Sequence, residues 1–80
     1  MASGELYQPT RAQAAHRTLP FGTTVRVTNI KSNESVVVKI ADRGPYGKGR
    51  IIDLSYSAAE RIGLIRPGVA EVRVDVLEMP

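Results

Sequence analysis

The hydrophobic residues of this chain fall into short runs rich in β-branched side chains, a pattern typical of strands rather than of long helices. Residues 23–30 alternate apolar and polar positions and residues 35–40 form an apolar run, so two strands joined by a hairpin loop at residues 31–34 are predicted. Further strands are predicted at residues 4–7, 50–54 and 70–77. The pattern therefore predicts an all-β (mainly β) fold with about five strands.

Two segments favour short helices instead. The alanine-rich residues 11–17 have room for about two helical turns, and Thr10 is a suitable N-cap. Residues 57–62 follow two serines, Ser55 and Ser57, either of which can cap a helix, and a glycine at position 63 is suited to end it.

A weak internal repeat relates residues 14–27 to residues 58–74, with alanine pairs and Val-Arg-Val triplets in corresponding places. Chance similarity between small alanine and valine motifs is the competing explanation. Two interlocked copies of strand-strand-helix-strand, related by a pseudo-twofold rotation, would close a six-stranded barrel. The first copy is one strand short, because only residues 4–7 precede its helix. We expect the edge left open to be covered by a second chain or by a rearranged N-terminus, or residues 1–9 to be locally disordered.

Length and composition limit the number of domains and the kinds of metal site and membrane segment that are expected. The 80 residues predict one domain over positions 1–80. With no cysteine and one histidine, thiolate and histidine-rich metal sites are not expected. No apolar run approaches the roughly 20 residues of a membrane span, and no basic segment followed by an apolar one begins the chain, so neither a span nor an export signal is expected.

The formal net charge of +3 is modest and spread along the chain. It suits a partner with scattered carboxylates better than a polyphosphate, and an ordinary soluble surface explains it equally well. The lysines and arginines are not interleaved with an aromatic platform, so nucleic-acid binding is not expected.

The chemistry is concentrated in residues 41–55, where one apolar run delivers Asp42 to a loop and a second run carries Asp53 away from it. Glycines and a proline allow sharp turns in the loop, and three cations make it basic; these residues are Arg43, Gly44, Pro45, Gly47, Lys48, Gly49 and Arg50. The sequence therefore predicts two carboxylates flanking one basic loop. From the residues alone, an aspartate that caps the turn before Arg-Gly-Pro is as good an interpretation of Asp42 as catalysis.

Four motifs in order resemble the rare lipoprotein A (RlpA) family over nearly the whole chain. They are Ala-Ala-His-Arg-Thr-Leu-Pro-Phe-Gly-Thr at 14–23, Val-Arg-Val-Thr-Asn at 25–29, Asp-Arg-Gly-Pro at 42–45 and Gly-Arg-Ile-Ile-Asp-Leu-Ser at 49–55. The ordered series is far more specific than any one motif. The resemblance implies a double-psi β-barrel, the fold shared with expansins and with membrane-bound lytic transglycosylase A. By this resemblance the family's usual first strand is expected to be missing from the chain, as the repeat also suggests.

The resemblance also implies an activity: septal lytic transglycosylases of this family cut peptidoglycan glycan strands, preferring strands without stem peptides, and no cofactor is implied. The expected location is the bacterial cell envelope, as a periplasmic protein or an outer-membrane lipoprotein in the full-length form. Other members are known only as barrel modules. The alternative function is therefore a non-catalytic glycan-binding barrel of the expansin kind, which holds a strand without cleaving it.

Carried over by motif, the family's functional positions fall on Glu5, His16 and Asp42, while Asp53 matches the acid of the related transglycosylase and expansin-like barrels. One carboxyl group can protonate the glycosidic oxygen and then deprotonate the muramic acid C6 hydroxyl, giving a 1,6-anhydro end without water. Such an acid must begin protonated, which requires a pKa raised by apolar burial or by a neighbouring carboxylate. Asp42, at the mouth of the loop, is the first choice, with Asp53 raising its pKa and His16 orienting a carboxylate or the C6 hydroxyl.

The same residues also have structural interpretations that involve no catalysis. A lone histidine on an alanine-rich helix commonly caps that helix, and Glu5 suits the solvent face of an edge strand. Cations of the loop are expected to meet glycan carboxylates, although an arginine pairing internally with Asp42 or Asp53 is the commoner arrangement. Two tyrosines can stack on sugar faces, and Phe21 is expected in the core. The predicted substrate-binding residues are Tyr7, Arg43, Tyr46, Lys48 and Arg50.

Overall fold

The computed structural model describes residues 12–47, 49–64 and 70–80. Within these residues the chain forms five strands and one helix. They are β1 (Gln13–His16), β2 (Thr24–Asn29), β3 (Ser35–Asp42), β4 (Ile52–Leu54), α1 (Tyr56–Arg61) and β5 (Val72–Glu78). The prediction of a mainly β fold is confirmed.

All five described strands belong to one sheet, in the order β4-β1-β3-β2-β5. β2 runs antiparallel to β3 and to β5, and β1 runs antiparallel to β4. β1 and β3 are parallel neighbours, so their carboxyl ends lie at the same edge of the sheet. The loop at residues 31–34 joins β2 to β3 as predicted, with Asn33 in the left-handed region at φ 63°. This topology gathers the loops after β1 and β3 into one place.

The hydrophobic core lies on one face of the curled sheet, closed by α1. On β3, Val36 and Val38 are buried whereas Val37 between them is 48% exposed, which is the alternation of a half-buried strand. The buried hydrophobic cluster comprises Ala14, Val25, Val27, Val36, Val38, Ile40, Ala58, Ile62 and Leu64. Burial of this apolar surface is the main stabilising contribution to the fold.

The helix predicted at residues 57–62 is confirmed as α1. Ser55 is its N-cap residue, although no side-chain cap bond forms. The chain leaves the helix at Gly63, whose φ of +73° is the left-handed conformation that glycine tolerates best. The predicted strands at 23–30, 35–40, 50–54 and 70–77 are also confirmed, and β3 extends two residues further, to Asp42.

The helix predicted at residues 11–17 is wrong, because residues 13–16 form strand β1. Ala14 pairs with Ile40 on one side and Leu54 on the other, and its methyl group is buried in the core. Pairing on both sides with burial outweighs the small helix preference of alanine. The predicted N-cap Thr10 and the predicted strand at 4–7 lie outside the described residues.

The pseudo-twofold repeat and the six-stranded count are not confirmed. The proposed alignment sets residues 14–16, which are a strand, over residues 58–60, which are helical. The two segments therefore differ in secondary structure at these positions. In the described part of the chain, β4 and β5 are the outer strands of the sheet.

Candidate catalytic cleft

Asp42 and Asp53 lie in one row across three neighbouring strands. Ala15 on the middle strand, β1, pairs with Asp42 of β3 on one side and with Asp53 of β4 on the other. Directly paired residues project from the same face of a sheet, so the two carboxylates flank the methyl group of Ala15. With strands about 4.8 Å apart, the two aspartate Cα atoms are separated by roughly 10 Å.

A one-residue irregularity in the β1–β3 pairing creates this row. Ala14 pairs with Ile40, but the next residue, Ala15, pairs with Asp42, so the buried Ala41 is passed over in the register. Regular pairing would set Asp42 opposite His16 instead. Irregularities of this kind re-aim a side chain at the end of a strand, and here the shift brings Asp42 level with Asp53.

A small cleft of about 130 Å³ opens over the row. Asp42 is half-buried there, whereas Asp53 is exposed. The described residues that line the cleft are Gln13, Ala14, Ala15, Asp42, Asp53, Leu54 and Ser55. A small side chain between two carboxylates leaves room for one group of a substrate to contact both.

The two carboxylates have different neighbours. Asp53 Oδ1 accepts a hydrogen bond from Arg50 Nη2 at 3.0 Å, in an ion pair whose side chains are 43% and 55% exposed. Asp42 Oδ1 accepts the backbone N–H of Arg43 at 2.9 Å. The ion pair of Arg50 with Asp53 is one of the internal arginine–aspartate pairings foreseen from the sequence.

His16 ends β1 but does not line the cleft with the aspartates. Successive strand side chains alternate in direction, so His16 projects away from the face of Ala15. Its Nδ1 accepts the backbone N–H groups of Thr18 at 3.2 Å and Leu19 at 3.1 Å. The imidazole thus organises a turn after a strand, and the helix-capping interpretation does not apply.

The protonation state of His16 follows from these contacts. Partial burial, and secondarily the nearby charge of Arg43, lower the pKa of His16 below its ordinary value of 6.5. Because Nδ1 is occupied as an acceptor, the neutral ring carries its proton on Nε2. His16 therefore offers one N–H donor near neutral pH.

The predicted substrate-binding residues are dispersed. Tyr46 is 80% exposed on the loop after β3. Arg43 Nη1 donates to the carbonyl oxygens of His16 and Leu19, and its guanidinium lies 4.1 Å from the ring centroid of Phe21. Phe21 itself packs against the core, as predicted. Three predicted site residues lie outside the described part of the chain: Glu5, Tyr7 and Lys48.

Gln13 is a cleft residue that the sequence did not single out. Only 4% of its surface is exposed, and its Oε1 has no hydrogen-bond partner among the described residues. Ser55 fixes its backbone, since Ser55 Oγ accepts the Gln13 N–H at 3.2 Å and the Ser55 N–H donates to the Gln13 carbonyl at 2.8 Å. The sequence signal that could have identified Gln13 is its position as a polar residue between two alanines.

A larger groove of about 520 Å³ lies between β4 and the start of β5. Its lining is mostly apolar, with Arg50, Asp53 and Glu71 at polar positions. The apolar lining residues are Ile30, Ile51, Ile52, Leu54, Ala59, Leu64, Ala70 and Val72. Asp53 and Leu54 line both spaces, so the cleft and the groove adjoin at β4.

The described residues contain no group of three or more histidine, cysteine, aspartate or glutamate side chains placed to hold a metal ion. No helix among them has the length and hydrophobicity needed to cross a membrane.

The sequence of this chain is similar to one protein family and to several known proteins. The family described as "Lytic transglycolase" matches residues 1–74. "Probable endolytic peptidoglycan transglycosylase RlpA" of Nostoc sp. is 58% identical over 95% of this chain and 20% of its own length. "Endolytic peptidoglycan transglycosylase RlpA" of Pasteurella multocida is 51% identical over 98% of this chain and 26% of its own. The Vibrio cholerae protein of that name is 49% identical over 95% and 29%. The chain thus spans less than a third of each of these relatives.

Proposed function

Since the chain belongs to the lytic transglycolase family, we propose that it cleaves peptidoglycan glycan strands between MurNAc and GlcNAc and leaves 1,6-anhydro-MurNAc ends. The expected resemblance to RlpA is confirmed by relatives that are 46–58% identical over most of this chain. Their names specify an endolytic peptidoglycan transglycosylase. The observation that carries the proposal for this chain is the pair of aspartates flanking Ala15 in one cleft.

Asp42 is the proposed acid. As the glycosidic bond breaks, its carboxyl proton passes to the leaving oxygen of GlcNAc. The C6 hydroxyl of MurNAc bonds to C1 of the same sugar, and its proton returns to the Asp42 carboxylate. The acid is regenerated and no water is consumed, which is why one carboxyl group suffices here although hydrolytic glycosidases use two.

Placement supports Asp42 over Asp53 for this role. Asp42 is half-buried at the end of β3, where the loop begins, while Asp53 is exposed and paired with Arg50. A proton donor must come within hydrogen-bond distance of the glycosidic oxygen, and a carboxyl group at the mouth of a loop has easier access to it than one within a strand. Asp53 is the proposed electrostatic neighbour of the reacting sugar.

His16 and Glu5 are further proposed site residues, matched by their motifs to functional positions of the family. The His16 Nε2–H group is a donor that could orient the C6 hydroxyl or a carboxylate of a bound strand. Tyr46 is exposed on the loop and is proposed to stack on a sugar ring, and Tyr7 has the same proposed role. Peptide-poor strands are the proposed substrate.

The setting and assembly of the chain are also proposals. A peptidoglycan substrate implies action in the bacterial cell envelope, with a periplasmic or outer-membrane lipoprotein form of the full-length protein as the finer prediction. Self-association through a strand edge stays a prediction, which light scattering of the purified chain would test.

Mass spectrometry of purified glycan strands incubated with the protein tests the proposed function. Fragments ending in 1,6-anhydro-MurNAc are expected, each lighter by one water than the corresponding hydrolysis product. Reducing ends would identify a hydrolase. Intact strands that co-sediment with the protein would favour the alternative, a non-catalytic glycan-binding barrel.

A further inference from the structure

Two arginine side chains, one in the loop after β1 and one in the loop after β3, each donate hydrogen bonds to the other loop. His16 ends β1 and is followed by Arg17, while Asp42 ends β3 and is followed by Arg43. Because β1 and β3 are parallel neighbours, both loops leave the same edge of the sheet. Each candidate catalytic residue is thus followed directly by an arginine at the junction of the two loops.

Arg17 fastens the loop after Asp42. Its Nε donates to the carbonyl oxygen of Pro45 at 2.7 Å, and its Nη2 donates to that of Gly47 at 2.8 Å. Two short bonds from one planar guanidinium fix both the position and the orientation of this loop segment.

Arg43 fastens the loop after His16 in return. Its Nη1 donates to the carbonyl oxygen of Leu19 at 2.8 Å and to that of His16 at 3.1 Å. Its guanidinium also stacks on Phe21, 4.1 Å from the ring centroid, and Phe21 packs against the core. The turn that His16 Nδ1 caps is therefore held from a second direction, by the neighbour of Asp42.

We propose that Arg17 and Arg43 form a reciprocal clasp of positioning residues that sets Asp42 and His16 relative to each other. The inference rests on the proposed function for its catalytic consequence, but the clasp is a property of the fold. Tyr46, Gly47 and Gly49 are exposed, so this part of the loop has little apolar packing and depends on hydrogen bonds for its position. Arg43 is then a positioning residue, where the sequence suggested a ligand for glycan carboxylates.

A reciprocal clasp predicts coupling between its two members. Losing Arg17 frees the loop after β3, which carries Arg43, and losing Arg43 frees the loop after β1, which carries Arg17. Either loss alone therefore removes most of the constraint, and the second loss adds little.

The test compares Arg17→Met, Arg43→Met and the double variant with a control, Arg26→Met, at an exposed arginine of β2. Hydrogen exchange of the Arg50 amide reports on the loop, because this N–H donates to the Gly47 carbonyl at 3.2 Å. Exchange about ten-fold faster is expected in each clasp variant, with the Val38 amide of β3 unchanged, as for local opening. The control should match the wild type at both amides.

Kinetics on glycan strands give a second, separate readout. Imprecise positioning predicts kcat lower by about ten- to a hundred-fold with KM within about two-fold, and a double variant close to the worse single one. Arg17→Lys, which can still donate to one carbonyl, should recover part of the loss. Unchanged Arg50 exchange would overturn the clasp. A raised KM with unchanged kcat for Arg43→Met would show instead that Arg43 binds glycan directly. If no variant, nor the wild type, cleaves glycan, the proposed function fails while the exchange data still decide the clasp.

Discussion

Asp42 and Asp53 share one register partner, Ala15, which pairs with each of them from opposite sides of β1. The arrangement requires β1 to lie between β3 and β4, and it requires the pairing of β1 with β3 to pass over Ala41. The smallest chiral side chain then occupies the space between the two carboxylates. The cleft is therefore a consequence of strand register.

Replacing Ala15 with valine tests whether that space is used. Valine suits a strand, so the fold should persist, but its two extra methyl groups would enter a cleft of only about 130 Å³. Cleavage of glycan strands is expected to fall at least about ten-fold, with the midpoint of thermal unfolding changed by only a few degrees.

Ser35→Val is the control, since Ser35 is exposed on β3 and lines neither the cleft nor the groove. Its rate should equal that of the wild type. Normal cleavage by Ala15→Val would mean that the substrate does not enter between the aspartates.

His16 predicts a dependence of stability on pH. Its pKa in the folded protein is lowered below 6.5, so as pH falls the unfolded chain takes up this proton first. The contribution is fully present above about pH 6.5 and declines as pH falls through the lowered pKa of the folded state. Protonating Nδ1 would also break its bonds to the Thr18 and Leu19 amides.

Urea unfolding at several pH values between about 7.5 and 5 measures this effect. His16→Gln should show a shallower loss of stability across that interval than the wild type. The chain has one histidine, so the difference reports on this side chain alone. Parallel curves for the two proteins would contradict the prediction.

Adjacent valines on β3 provide an internal test of the core. Val38 is 1% exposed and Val37 is 48% exposed. Val38→Ala removes two buried methyl groups and leaves a cavity, so a loss of about 2–3 kcal/mol in the free energy of unfolding is expected. Val37→Ala should cost under about 1 kcal/mol, mainly through strand preference. Denaturant unfolding measures both losses. Equal losses of unfolding free energy in the two variants would contradict the assignment of Val38, and not Val37, to the core face of the sheet.

The sequence predicted the elements whose pattern is local. Alternation marked β2 and β3, and Gly63 marked the end of α1. β1 was predicted as a helix because alanine favours helices in isolation, whereas Ala14 is held by pairing with strands distant in sequence. The aspartates were identified from their motifs, but their common row depends on a register that no local pattern encodes. The role of Arg17 was not predicted for the same reason, since its hydrogen-bond partners lie 28 and 30 residues away in the sequence.

The most direct test of the proposed mechanism is the rate of anhydro-muropeptide release by Asp42→Asn and Asp53→Asn. Both changes preserve shape, and Asp53→Asn removes an exposed ion pair with Arg50 worth under about 1 kcal/mol, so both variants should stay folded. Asp42→Asn removes the proposed acid and should lower the rate at least about a hundred-fold, whereas Asp53→Asn should keep a measurable fraction of it. Near-normal release by folded Asp42→Asn, with none from Asp53→Asn, would contradict the assignment and make Asp53 the acid.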